Sequence, residues 1–219
     1  MQIAGTTSWR TGIDEPHSLL RALYVRDASG LRPEVHPDIP ALEPAVPVGE
    51  KASHAASVAS AQWTDWWQLL LDGGGFWPEH KNPSDMATLT HDPEIQRLFY
   101  WPSEYLPPDF VGLSHATELQ TLIRKHFEAA RIWSEERHLE FAALSSARQR
   151  VLLESEIVRT IEGGLGRTVR PFTLDIRVLP VASVQSWRLS SGRALVSRAL
   201  FMDRVAYREW LEPIIGELA

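Results

Sequence analysis

The residues best able to do chemistry in this chain fall into three groups: scattered histidines, a tryptophan cluster and strand-borne arginines. There are eight histidines. Glu135 and His138 form a Glu-x-x-His pair, which on a helix sets a carboxylate and an imidazole on one face. Carboxylate-bridged di-iron bundles use that element, but they need a second such motif and further helical glutamates. No second Glu-x-x-His exists, His115 with Glu118 gives only the reverse spacing, and no His-Glu-x-x-His or His-x-His is present. Glu135 and His138 are weak metal candidates, and no cofactor is expected.

Nucleophilic chemistry has less to draw on. With no cysteine, thiol catalysis, disulfides and cysteine-ligated zinc or iron–sulfur centres are excluded. No Gly-x-Ser-x-Gly elbow occurs. Gly73-Gly74-Gly75 and Gly163-Gly164-Leu165-Gly166 follow helical stretches, whereas a phosphate-binding loop follows a strand and opens a helix. Both glycine groups are expected to be structural.

Tryptophan is the compositional oddity, supplying nine of the aromatic residues against four tyrosines and seven phenylalanines. Trp63, Trp66, Trp67, Phe76 and Trp77 lie close together in the chain. Such a group can stack on a flat ligand or anchor a protein interface. The spacing of Trp63, Trp66 and Trp67 is also that of a core-facing helical stripe, and core packing is the reading it favours. Arg177 and Arg198, with Asp175 just before them and Arg167 and Arg170 at the entry to the strand, suggest a surface for a phosphate or carboxylate if Asp175, Arg177 and Arg198 share a sheet face. The plainer reading is cross-strand charge pairing. Glu128, Glu135, Glu136 and Glu140 are expected to form a solvated face tied to Arg131 and Arg137.

The elements that must position these groups are clearest at the carboxy end. Phe172, Leu174, Ile176 and Val178 alternate with polar residues, which is a half-buried strand. Shorter strands are expected at 184–189 and 194–201, giving a three-stranded antiparallel meander. Asp203 then opens a helix with Tyr207, Leu211, Ile214, Ile215 and Leu218 on one face. Helices are expected near 55–71, 92–102, 114–143 and 146–162, with a break at Leu144-Ser145. The long one turns Leu119, Leu122, Ile123, Phe127, Ala130 and Trp133 to the core. Residues 18–26 fit a helix or a strand. Pro33, Pro37, Pro40, Pro44 and Pro47 force an extended path on 31–50. The apolar Ile39, Leu42, Val46 and Val48 make this an arm lying on its own domain or on a second subunit.

The chain has 219 residues, 44% hydrophobic and 23% charged, enough for one large domain or two small ones without disulfide or metal support. Its formal charge of -6 is uneven, residues 148–219 being slightly basic and the rest acidic. No concentrated basic stripe for nucleic acid is present. No signal peptide or membrane-spanning run is seen, so a cytoplasmic setting is expected, and the excess of arginine over lysine suggests a bacterial source. The expected fold is α+β: a helix-rich domain packed on a small antiparallel meander, closed by the carboxy-terminal helix. An N-terminal segment, 1–54, would carry the arm, and 55–219 the globular domain, or 1–219 would form one domain. The apolar proline arm, the tryptophan cluster and the lack of an assembled catalytic constellation make protein–protein contact the expected function, as a homo-oligomer or with a protein partner. The alternative is a small-molecule-binding protein or enzyme with a Trp-lined pocket and His115, His126, Glu135 or His138 as its polar groups.

Overall fold

The computed structural model describes residues 2–5, 9–35, 37–48, 54–72, 109–148 and 153–219. The chain forms two compact units, Met1–Glu15 with Arg137–Ala219, and Pro16–Glu136. The unit boundaries therefore fall at 15/16 and 136/137, whereas the proline content marks 54/55. Trp77 and the helix expected near 92–102 lie outside the described residues. The fold class is α+β.

The first unit is built on a five-stranded sheet of order β1-β2-β3-β5-β4. Its strands are β1 (Gln2–Gly5), β2 (Trp9–Asp14), β3 (Phe172–Leu179), β4 (Ser186–Ser190) and β5 (Arg193–Ser197). The alternation in β3 turns Leu174, Ile176 and Val178 onto one face. The parallel register of β2 on β3 adds Trp9 opposite Phe172 and Ile13 opposite Ile176. Trp9 and Phe172 stack with ring centroids 6.0 Å apart. Against this face pack helix α4 (Leu153–Leu165) through Leu153, Ile157 and Val158, and α6 (Arg204–Leu218) through Tyr207, Leu211, Ile214 and Ile215. Asp203 caps α6 as expected, its carboxylate accepting from the Val205 and Ala206 amides at 3.0 and 3.1 Å.

The meander is only partly present. β4 and β5 form the antiparallel hairpin, but β5 inserts between β3 and β4 and pairs with β3 in parallel. The cause is legible in the residues. Ala194, Leu195 and Val196 are an uninterrupted apolar run, buried on both sides, and such strands belong inside parallel sheets. Ser186, Arg188 and Ser190 suit the edge position. Gly192 is required by this arrangement, because a Cβ there would lie 2.8 Å from the Thr173 carbonyl. The third strand also ends earlier than 201: Ser197 Oγ accepts from the Leu200 amide at 3.1 Å and starts the short helix α5 (Arg198–Met202). Arg198 thus belongs to a helix start, not to a strand.

In the second unit, residues 17–28 resolve to helix α1 (His17–Ala28), with Leu19, Leu20 and Leu23 fully buried. Helix α2 (His54–Asp72) carries the tryptophans. A single helical turn, Val111–Leu113, precedes α3 (Thr117–Arg148). The arm lies on its own unit: Ile39, Leu42 and Val46 are buried, and the end of α1 holds its backbone. Arg26 donates to the carbonyls of Ile39 and Pro40 at 2.5 and 2.7 Å, and Asp27 accepts from the Leu42 amide at 2.7 Å. Helix α3 runs through the expected break at Leu144-Ser145, since neither residue stops a helix and Ser145 is buried in line. Gly163 and Gly164 lie inside α4, which ends instead at Gly166, whose φ of +63° is the left-handed conformation of a helix terminus.

Candidate functional site

The three mutually parallel strands β2, β3 and β5 have their carboxyl ends on the same side of the sheet, the position at which parallel sheets gather functional groups. Asp14 and Glu15 close β2, Arg177 lies near the end of β3, and Arg198 follows β5. Residues 137–140 of α3, in the same unit, complete the group. The fully buried Glu15 carboxylate receives Arg198 Nη2 at 2.6 and 2.8 Å and Nε at 3.1 Å. Arg198 also donates to Glu140 at 3.1 Å and to the Arg137 carbonyl at 3.1 Å. Arg137 reaches Glu140 at 2.7 Å, and His138 Nδ1 lies 3.0 Å from the Glu15 carbonyl, a pairing in which the ring nitrogen donates.

Desolvation dominates the electrostatics. Burial pushes the Glu15 carboxyl from 4.5 up to about 7, the charge and hydrogen bonds of Arg198 opposing the rise and Asp14 and Glu140 adding to it. Every nitrogen of the Arg198 guanidinium is engaged by a protein oxygen. The group is therefore a closed ionic knot, not an open cradle for an external anion.

Next to it runs a second row of buried charge. Arg10, Asp175 and Arg177 are each less than a tenth exposed. Arg177 lies 3.4 Å from Asp14, and burial holds its guanidinium below the usual range while Asp175 and Asp14 oppose the shift. Gly12 faces Asp175 across the β2–β3 register, and a Cβ at Gly12 would stand 2.7 Å from the Asp175 carboxylate. Asp175 and Arg177 thus share a sheet face, but a buried one.

The remaining sequence candidates are dispersed. Trp63 and Trp67 stack in the core of the second unit, 5.2 Å apart, and Trp63 donates to the Ala22 carbonyl at 2.8 Å. Trp66 is buried as well. Glu135 is exposed and paired with Arg131 at 2.7 Å, while His138 belongs to the knot. His115 is exposed, and His126 is half-buried, with burial and then Lys125 lowering its pKa. Among the described residues no group of three histidine, aspartate or glutamate side chains is placed to hold a metal.

One further feature is a surface. The solvent side of α3 carries Lys125, Ala129, Ile132, Glu136, Leu139 and Ala143, all exposed. They recur every three or four residues, which keeps them on one stripe of the helix. Leu139 is 70% exposed and Ile132 47%. Sequence reading assigned α3 its buried face and overlooked this one.

Compared with protein-family models, curated proteins and solved structures, the chain matches none. Among the described residues no helix is long and apolar enough to cross a membrane.

Proposed function

We propose that this chain is a non-catalytic protein that acts through contact with other protein, and that the contact is self-association through the exposed stripe of α3. The observation that carries the reading is the apolar pair Ile132 and Leu139, held in solvent seven residues apart on one helix. A second copy laid antiparallel, with its Leu139 against Ile132, brings its Ala143 close to Ala129. This buries small and large apolar groups in the alternation that helix seams require. Glu136 then approaches its own counterpart, so the contact is reversible and of moderate affinity. The buried tryptophans and arm support neither this reading nor the alternative, a ligand-binding protein or enzyme, which is further weakened because Glu135 and His138 are each held by an internal partner. The same reading takes the protein as bacterial and cytoplasmic, acting without nucleic acid. Sedimentation velocity over a range of concentrations tests it. Self-association that Leu139→Glu abolishes and Glu136→Ala strengthens is the expected outcome. A strict monomer contradicts the reading.

A further inference from the structure

The proline arm and the end of α1 bound a cavity of about 270 Å3 within the unit Pro16–Glu136. We propose that this cavity binds a free aliphatic amino acid as its zwitterion, a role separate from self-association. Its shape follows from the chain. Gly30, at a φ of +62°, turns the backbone out of α1, and the prolines then hold the arm extended beside that helix. The carbonyls of Ile39 and Pro40 accept from Arg26, whose guanidinium lies 5.8 Å from the Trp63 ring centroid. A guanidinium carries more N–H donors than the acceptors Arg26 meets among the described residues, which are those carbonyls and Asp27. Arg26 therefore borders the cavity with donating capacity left over. Arg32 and Asp38 stand at the same cavity, both exposed, and neither side chain has a hydrogen-bonded or ionic partner among the described residues.

The charges of the lining residues Arg26, Asp27, Arg32 and Asp38 cancel, so the site stays neutral with a ligand that is itself neutral overall. A zwitterion satisfies this and uses both free groups, its carboxylate on Arg32 and Arg26 and its ammonium on Asp38. Leu31, Pro33, Val35 and Pro40 offer an apolar wall to its side chain. The volume falls just below the roughly 300–1,000 Å3 of drug-sized pockets and admits a molecule of amino-acid size. A peptide terminus carries one of the two charges and would leave Arg32 or Asp38 covered without a partner.

Isothermal titration calorimetry of the full chain with L-valine, L-leucine and L-isoleucine tests the site. Leucinamide, which lacks the carboxylate, and N-acetyl-leucine, which lacks the ammonium, serve as analogues. The expected result is saturable binding of the amino acids, with each analogue bound about tenfold or more weakly. Arg32→Ala and Asp38→Ala should each weaken leucine binding by a similar factor at unchanged thermal stability, since both side chains are exposed. No saturable binding at millimolar concentration, or binding that either variant leaves unchanged, overturns the proposal. An analogue bound as tightly as leucine also overturns it, because a peptide terminus would then suffice. None of these residues belongs to the α3 stripe, so leucine binding and self-association can fail independently.

Discussion

Replacing Ile39 and Leu42 together with serine tests the assignment of the proline arm. Both side chains are almost fully buried, at 3% and 2% exposure, within the unit formed by Pro16–Glu136. Truncating a buried Ile or Leu costs about 2–5 kcal/mol from lost transfer energy and the cavity left behind. The two positions lie three residues apart and share supports, because Arg26 and Asp27 fix the backbone around both. Their costs should therefore add incompletely, to about 5 kcal/mol. That is a large fraction of the roughly 5–15 kcal/mol available to a folded domain. Urea unfolding followed by tryptophan fluorescence should show the loss directly, since Trp63 and Trp67 are buried in the same unit. Leu42→Ala, at about 3 kcal/mol, provides a milder variant that stays folded. The arm's assignment further requires that self-association measured on the folded variant is unchanged. Unchanged stability together with weakened association would refute the reasoning, because the arm would then be serving a second subunit.

Three further outcomes follow from the geometry. The raised Glu15 pKa contributes stability that is complete below about pH 4.5 and is lost as pH rises through about 7. It amounts to about 3 kcal/mol, so unfolding free energies of Glu15→Gln should fall less steeply than those of the native protein between pH 4.5 and 7.5. Gly12→Ala should cost about 2 kcal/mol by displacing the Asp175 carboxylate from its place opposite Gly12. Combining it with Asp175→Asn in a denaturation double-mutant cycle should reveal the coupling. Trp63→Phe removes the hydrogen bond to the Ala22 carbonyl and part of the stack on Trp67, and thermal unfolding should register a loss of about 2 kcal/mol.

Local pattern and long-range placement were unequally legible in the residues. The alternation from Phe172 to Val178, the Asp203 cap and the Tyr207–Leu211–Ile214–Ile215 face are determined by near neighbours, and they occur where the sequence places them. Strand order is set by partners far away in the chain. The apolar run Ala194-Leu195-Val196 signals a strand buried on both faces, yet nothing local says that its parallel partner is β3. The arginines illustrate the same limit. Arg177 and Arg198 stand out by type, but Ser197 converts the end of β5 into a helix cap and thereby carries Arg198 to Glu15. Glu15 itself gave only a faint sign, an acid between Asp14 and Pro16 at the close of a short strand. Its hydrogen-bond partner Arg198 lies 183 residues away. The tryptophans were the reverse case: helical spacing alone favoured core packing over a ligand platform, and Trp63, Trp66 and Trp67 are buried.

The most direct test of self-association through α3 is sedimentation equilibrium of the native protein beside Leu139→Glu, each checked by circular dichroism. Leu139 is exposed, so its replacement should leave the fold intact. The account predicts a concentration-dependent dimer in the native protein and a monomer of unchanged helicity in the variant. A native protein that stays monomeric, or a variant that associates as strongly, would contradict it.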